Sequence, residues 1–218
     1  MATLTIKPTQ AGNDIQIKSG DGLTTHATFG NTATLGTATI TNATITAGSI
    51  ASAVTFPAGH VLQTVIGTKS DTNSWSSAVA FTDTGLSKAI IPASTANKVL
   101  ILWQINYALG ASTNQVGIGL NSSVDGMINI GDSATNLKSV TAQSILNAST
   151  GGLTFMTETI SGMYLDSPGV DTSVTYKLQI QSATTGGVIY INRSSRDSAS
   201  TNYDARPVSN IILMEIKG

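Results

Sequence analysis

Val174-Thr175-Tyr176-Lys177-Leu178-Gln179-Ile180-Gln181 alternates apolar and polar residues without a break. Successive side chains of a strand point to opposite faces. Val174, Tyr176, Leu178 and Ile180 therefore make one dry face, and Thr175, Lys177, Gln179 and Gln181 one wet face. That is the pattern of an antiparallel sheet packed on one side only. Two other stretches depart from it. Val99-Leu100-Ile101-Leu102-Trp103 and Ile211-Ile212-Leu213-Met214-Glu215-Ile216 are apolar on both faces. A two-layer sandwich has one inside, so these strands need cover on their second face. A subunit interface around a threefold axis would supply it, as would a loop of the same chain.

Outward from these stretches, β-type text runs from His60 to the end. Strands are expected at 61–67, 76–82, 86–91, 98–108, 115–120, 127–130, 153–164, 173–181, 188–192 and 208–216. Turn residues separate them at Thr84-Gly85, Asp125-Gly126, Gly151-Gly152, Ser167-Pro168-Gly169 and Gly186-Gly187. Residues 134–147 read ambiguously, and no window has convincing helical periodicity. Short strands at this spacing predict an all-β chain whose residues 60–218 form an antiparallel β-sandwich of jelly-roll type.

Upstream of the sandwich lies a five-residue repeat: Ala33-Thr34-Leu35-Gly36-Thr37, Ala38-Thr39-Ile40-Thr41-Asn42, Ala43-Thr44-Ile45-Thr46-Ala47, Gly48-Ser49-Ile50-Ala51-Ser52, then Ala53-Val54-Thr55. Its period is neither that of a helix nor that of a strand, so each unit holds a corner or a side of a coil. Leu35, Ile40, Ile45 and Ile50 recur at one offset and must stack on neighbours to be buried. The repeat stops after about one coil, so the neighbours are expected in other copies of the chain. Residues 32–59 are accordingly predicted to form a short stem that registers a homotrimer through those four side chains. Phe56-Pro57-Ala58-Gly59 ends it, because Pro57 holds its own φ and Gly59 permits a sharp change of direction. Residues 1–31 carry Leu4, Ile6, Ile15 and Ile17 in alternation around a turn, which suggests a small hairpin needing a partner surface. They are expected to be an attachment unit or an ordered tail along the head.

Composition narrows the partners. Only 11% of the 218 residues are charged and the net charge is -1. A typical protein is about 25% charged, and nucleic-acid binding asks for a basic footprint, so no nucleic acid is expected. There are no cysteines, which excludes disulfides and thiol chemistry. The opening Met1-Ala2-Thr3-Leu4-Thr5-Ile6-Lys7 has no secretory-signal pattern. The longest apolar run, Val99 to Trp103, falls far short of the about 18 residues of a spanning helix. A chain made without export and without membrane insertion is expected.

Catalytic signals are missing. The only histidines, His26 and His60, lie in different units, and the only glutamates are Glu158 and Glu215. No Gly-x-Ser-x-Gly, phosphate loop, dinucleotide fingerprint or Ca²⁺ loop occurs. Neither an enzyme nor a cofactor is expected. His60, at the junction of stem and head, has two readings: a structural histidine, or one of three imidazoles around a threefold axis holding a metal. No His-x-His pairing supports the second, and no metal ligand is assigned. All three arginines, Arg193, Arg196 and Arg206, fall in one stretch with Asp197, Tyr203 and Asp204. This stretch reads either as a polar loop for anionic glycans or as an internally paired connection before the last strand. Trp75 is either a sugar-stacking aromatic on a loop or an inward-pointing strand residue. Trp75, Arg193, Arg196 and Tyr203 are the candidate receptor contacts.

Several stretches together resemble a known group. They are Ile6-Lys7-Pro8-Thr9-Gln10-Ala11-Gly12-Asn13-Asp14-Ile15-Gln16-Ile17, Phe56-Pro57-Ala58-Gly59-His60-Val61, Phe81-Thr82-Asp83-Thr84-Gly85-Leu86 running to Asn97-Lys98-Val99-Leu100, Ser167-Pro168 leading to Thr175-Tyr176-Lys177, and Val208-Ser209-Asn210-Ile211-Ile212-Leu213-Met214-Glu215-Ile216. The whole chain resembles fibre-like structural proteins of tailed phages, especially those of aquatic bacteria. The resemblance implies a virion location and a homotrimer with an N-terminal attachment part and a β-sandwich head, often used to bind the host surface. It transfers no site residues. Two functions are therefore expected. One is a short tail fibre that docks to other virion proteins through residues 1–31 and meets a host glycan or outer-membrane protein with its head. The other is a capsid decoration trimer clamping the shell at threefold positions, which the brevity of the stem suits.

Overall fold

The computed structural model describes residues 56–218 apart from 77, 111–114, 136, 146–153, 183–186, 200 and 201. The expected unit 1–31 and the repeat with Leu35, Ile40, Ile45 and Ile50 lie outside the described residues. Among those described, the elements are β1 (Val61–Lys69), β2 (Asn73–Ser76), β3 (Thr82–Ile90), β4 (Lys98–Leu109), β5 (Gln115–Ser122), β6 (Gly126–Ile128), β7 (Ala142–Ile145), β8 (Glu158–Asp166), β9 (Val174–Ser182), β10 (Val188–Ile191) and β11 (Ser209–Ile216). No helix of the described residues is long and apolar enough to cross a membrane.

Two antiparallel sheets make the predicted sandwich. One runs β1-β11-β4-β10-β2, with β8 also paired to β4, and the other runs β3-β9-β5-β6, with β7 also paired to β5. The connections β2–β3, β3–β4, β4–β5, β7–β8, β8–β9 and β9–β10 pass from one sheet to the other, whereas β5, β6 and β7 stay in one sheet. β9 sits inside the second sheet with Val174, Tyr176, Leu178 and Ile180 fully buried, as its alternation requires. They face Val99, Ile101, Trp103 and Ile105 of β4 and Ile211 and Leu213 of β11 in one continuous core. Each large aliphatic side chain so buried contributes about 1.5–3 kcal/mol relative to exposure.

The segmentation between residues 73 and 90 differs from expectation. The strand expected at 76–82 is absent. β2 ends at Ser76 in one sheet and β3 begins at Thr82 in the other. The described residues 78–81 are not strand, and the strands on either side of them belong to different sheets. Ala78 carbonyl accepts a 2.6 Å hydrogen bond from the Ser182 amide on the way. Thr84-Gly85, expected as a turn, is a bulge within β3: Gly85 has φ 82, and the β3–β9 register shifts between Asp83 and Ser87. A glycine with positive φ serves a bulge as well as a turn. β7 occupies part of the ambiguous 134–147 stretch, and β8 starts at Glu158, later than expected.

Glu215 is the most deeply buried charged residue among those described. The β11 side chain Glu215 is 1% exposed. Its carboxylate accepts hydrogen bonds from the Ala93 amide and Gln63 Nε2, both at 2.6 Å, and from Asn97 Nδ2. Burial pushes its pKa up, but these donors outweigh burial and hold it below the ordinary glutamate value.

Candidate receptor-contact loop

The connection between β10 and β11 is long, and its root is fixed by a buried asparagine. Asn192 takes a left-handed φ of 56, a conformation that asparagine tolerates better than most residues. Its Nδ2 donates to the carbonyls of Lys69 at 2.7 Å and Asp71 at 3.1 Å, and its Oδ1 accepts from Ser209 Oγ at 2.6 Å. Both ends of the loop are thereby tied to the same sheet.

Two aspartates organise what lies beyond. Arg206 forks onto Asp197 with Nε to Oδ1 at 3.0 Å and Nη2 to Oδ2 at 2.8 Å, the bidentate geometry that suits a planar guanidinium. Arg193 approaches the same carboxylate at 3.6 Å. Arg196 donates from Nε and Nη2 to Asp204 Oδ2 at 3.0 and 2.7 Å, and Ser194 Oγ donates to Asp204 as well. The Arg206 hydrogen bonds hold the Asp197 carboxyl below the ordinary aspartate range, and Asp197 in turn raises Arg206. The Asp204 side chain is 6% exposed, whereas that of Arg206 is 64% exposed. Acids lie beneath and guanidinium groups above. Three arginines against two aspartates leave this loop at +1.

Aromatic rings flank that charge. Tyr203 is 73% exposed, and its ring lies 6.0 Å from that of Phe155 in a tilted pair. Arg196 sits 5.7 Å over Phe155, and Arg193 sits 4.8 Å over Tyr190, within the range of cation–π attraction. The turn bearing Phe155 is anchored to the loop by the Thr154 carbonyl, which accepts from the Arg196 amide at 2.9 Å and Ser195 Oγ at 3.0 Å.

Arg193, Arg196 and Tyr203 therefore share one surface. Trp75 does not join them. It lies in β2 opposite Ile189, is half-buried, and packs against the core, whereas Tyr190 and Arg193 belong to the other side of that strand pair. Phe155 escaped the sequence reading because it falls in a stretch expected to be strand. Nothing in one sequence ties it to residues some forty positions away. His60 is exposed and stacks on Phe56, with ring centroids 4.4 Å apart. No group of three His, Cys, Asp or Glu side chains able to hold a metal occurs among the described residues.

The surface combines π-faces, guanidinium donors and backbone anchors. It can stack on a planar or sugar-like face and donate hydrogen bonds to hydroxyl or anionic groups. No family model and no curated protein matches the chain. A chain from the structure of infectious bursal disease virus, Gx strain, is similar to it at 12% identity and a TM-score of 0.32, with 79% of this chain and 45% of that one covered. This chain thus matches less than half the length of that viral protein.

Proposed function

We propose that this chain is a virion structural protein of a tailed phage: a homotrimeric short tail fibre whose sandwich head contacts the host surface. It acts by binding and not by catalysis. Residues 1–31 dock to other virion proteins, and the loop between β10 and β11 meets a surface glycan or an outer-membrane protein. The observation that carries this reading is the exposed Tyr203–Phe155 pair beside Arg196, on a loop held at both carboxylates. Ordering the contact groups before binding removes an entropic cost that a free loop would meet on association. Three such loops on one trimer, and several trimers on one particle, turn weak single-site affinity into avidity.

The brief stem favours a second reading, a capsid decoration trimer whose head caps the shell. Adsorption separates the two. Purified full-length protein is expected to bind host cells and to compete with phage adsorption. Tyr203→Ala should remove both effects while leaving the circular dichroism spectrum unchanged. Wild-type protein that neither binds nor competes would overturn the fibre reading, and density for the protein at threefold positions of the shell would establish the other. Host polysaccharide should remain uncleaved in either case.

A further inference from the structure

The outer face of the second sheet carries a cleft of about 470 Å³, a size that suits a small-molecule site. Register puts Gln143 of β7, Gly117 of β5 and Gln181 of β9 in one cross-strand row. Gly117 brings no side chain, so the floor of the cleft is backbone between two amides. Gln115, two positions back on the same face of β5, adds a third amide. Leu137, Lys138 and Val140, from the segment between β6 and β7, complete the lining. A Cβ at residue 117 would come within 2.7 Å of Val140 Cγ1 and 3.1 Å of Gln181 Cγ. The glycine is needed where those side chains close over the sheet. Gln181 belongs to the wet face of β9, yet it is 6% exposed. Lys138 Nζ donates to the Val79 carbonyl at 3.1 Å and approaches Gln181 Oε1 at 3.4 Å. An ammonium can only donate, so it faces the oxygen of the Gln181 amide. The NH2 group is thereby turned over the glycine floor, with Nε2 3.4 Å from the place of the missing Cβ. Among the described residues that group has no acceptor. Gln143 Nε2 donates to Gln115 Oε1 at 2.8 Å, which leaves the Gln115 NH2 group and the Gln143 carbonyl unpaired.

We infer that this cleft binds a saccharide unit that carries a carboxylate. The site shares no residue with the β10–β11 loop, and the inference does not rest on the reading above. Two kinds of group in the lining select the ligand. Lys138 touches neutral oxygens alone among the described residues, and no carboxylate lines the cleft. An ammonium without a counter-ion calls for an anionic group, because charge-assisted hydrogen bonds are the stronger ones. The amides call for hydroxyls. Two NH2 groups donate and one carbonyl accepts, and a sugar hydroxyl can do both. A bare anion would use the donors and leave the carbonyl facing it, whereas a neutral sugar would leave the ammonium unanswered. Leu137, 71% exposed, and Val140 offer apolar contact to ring C–H groups. No aromatic ring lines the cleft on which a base could stack. The Lys138 contact and the Gln115–Gln143 bond fix the amides before a ligand arrives, which lowers the ordering cost of binding.

Ligand-observed NMR on the full-length protein tests this, with D-glucuronate, D-glucose and acetate as probes. Glucuronate is expected to bind, and glucose and acetate to bind about tenfold or more weakly, because each lacks one of the two sets of contacts. Lys138→Gln should weaken glucuronate by about tenfold or more. Gln181→Glu keeps the side-chain shape but gives Lys138 a carboxylate of its own, and it should weaken glucuronate as much. Lys98→Gln removes the same charge from an exposed position at the start of β4 and should leave the affinity unchanged. Circular dichroism checks that each variant is folded. Lys138 is exposed, so its variant decides the matter if Gln181→Glu unfolds. Wild-type protein that does not bind glucuronate would overturn the inference. Glucose binding as tightly would overturn the role of Lys138, and acetate binding as tightly would reduce the cleft to an anion site. Glucuronate binding that Lys138→Gln leaves intact would place the ligand elsewhere on the protein and overturn the inference as well. Every one of these results leaves adsorption through the β10–β11 loop to stand or fall by its own test.

Discussion

Gly162 lies directly across the β4–β8 ladder from Trp103, and the indole fills the space that a side chain at 162 would take. A Cβ there would come within 2.5 Å of Trp103 Cζ2. The ring is 4% exposed and rigid, so relief requires the strand or the ring to move. Gly162→Ala is expected to destabilise the sandwich by about 1–3 kcal/mol through overpacking. A lower urea midpoint and a shifted tryptophan emission would show it; an unchanged midpoint would mean that the ladder gives way freely.

Glu215 makes stability depend on pH. Its folded pKa lies below the ordinary value of 4.5, so its contribution is fully present above that value and is lost as pH falls through the folded one. Acid unfolding should therefore begin below about pH 4.5. Glu215→Gln would turn an amide donor toward the Ala93, Asn97 and Gln63 donors, costing about 1–3 kcal/mol at neutral pH. The variant should also lose less stability than the wild type between neutral pH and pH 3, measured by denaturant midpoints.

The loop between β10 and β11 should be separable from the fold. Asp204→Ala removes the acceptor shared by Arg196 and Ser194. Hydrogen exchange across residues 193–207 is expected to quicken while the core strands keep their protection. Arg206→Ala, at a largely exposed guanidinium, should leave the global denaturant midpoint nearly unchanged. Cooperative loss of the whole head in either variant would show that the loop is part of the core.

If residues 32–59 form the proposed trimer stem, Ile40→Asp and Ile45→Asp should weaken assembly far more than Thr39→Ser, because each would put a charge among the apolar side chains proposed to stack there. Sedimentation of full-length protein over a range of concentrations measures this directly. Equal masses for all three variants would remove the stem from trimer formation.

Legibility in the sequence followed the range of the interactions. The β9 alternation identified its buried face residue by residue, because strand periodicity is local. The double-sided apolar runs of β4 and β11 announced a second surface in need of cover, and Leu100, Leu102, Ile212 and Met214 lie on it. The same reasoning misplaced a strand at 76–82, because alternation says which way side chains point and not which sheet the chain is in. Gly85 marked a positive φ without saying whether a turn or a bulge would use it.

Sequence alone determined the class of the fold, the division into dry and wet strand faces, the scarcity of charge, and the gathering of all three arginines beside Asp197 and Asp204. These are local or compositional properties, set by the strand period and by which residues are neighbours along the chain. Tertiary structure decided which sheet each strand joins, that Glu215 is buried among three donors, that Trp75 turns to the core, and that Phe155 comes to rest beside Tyr203. Those outcomes depend on contacts between residues far apart in the chain, which only the closing of two sheets on one core selects.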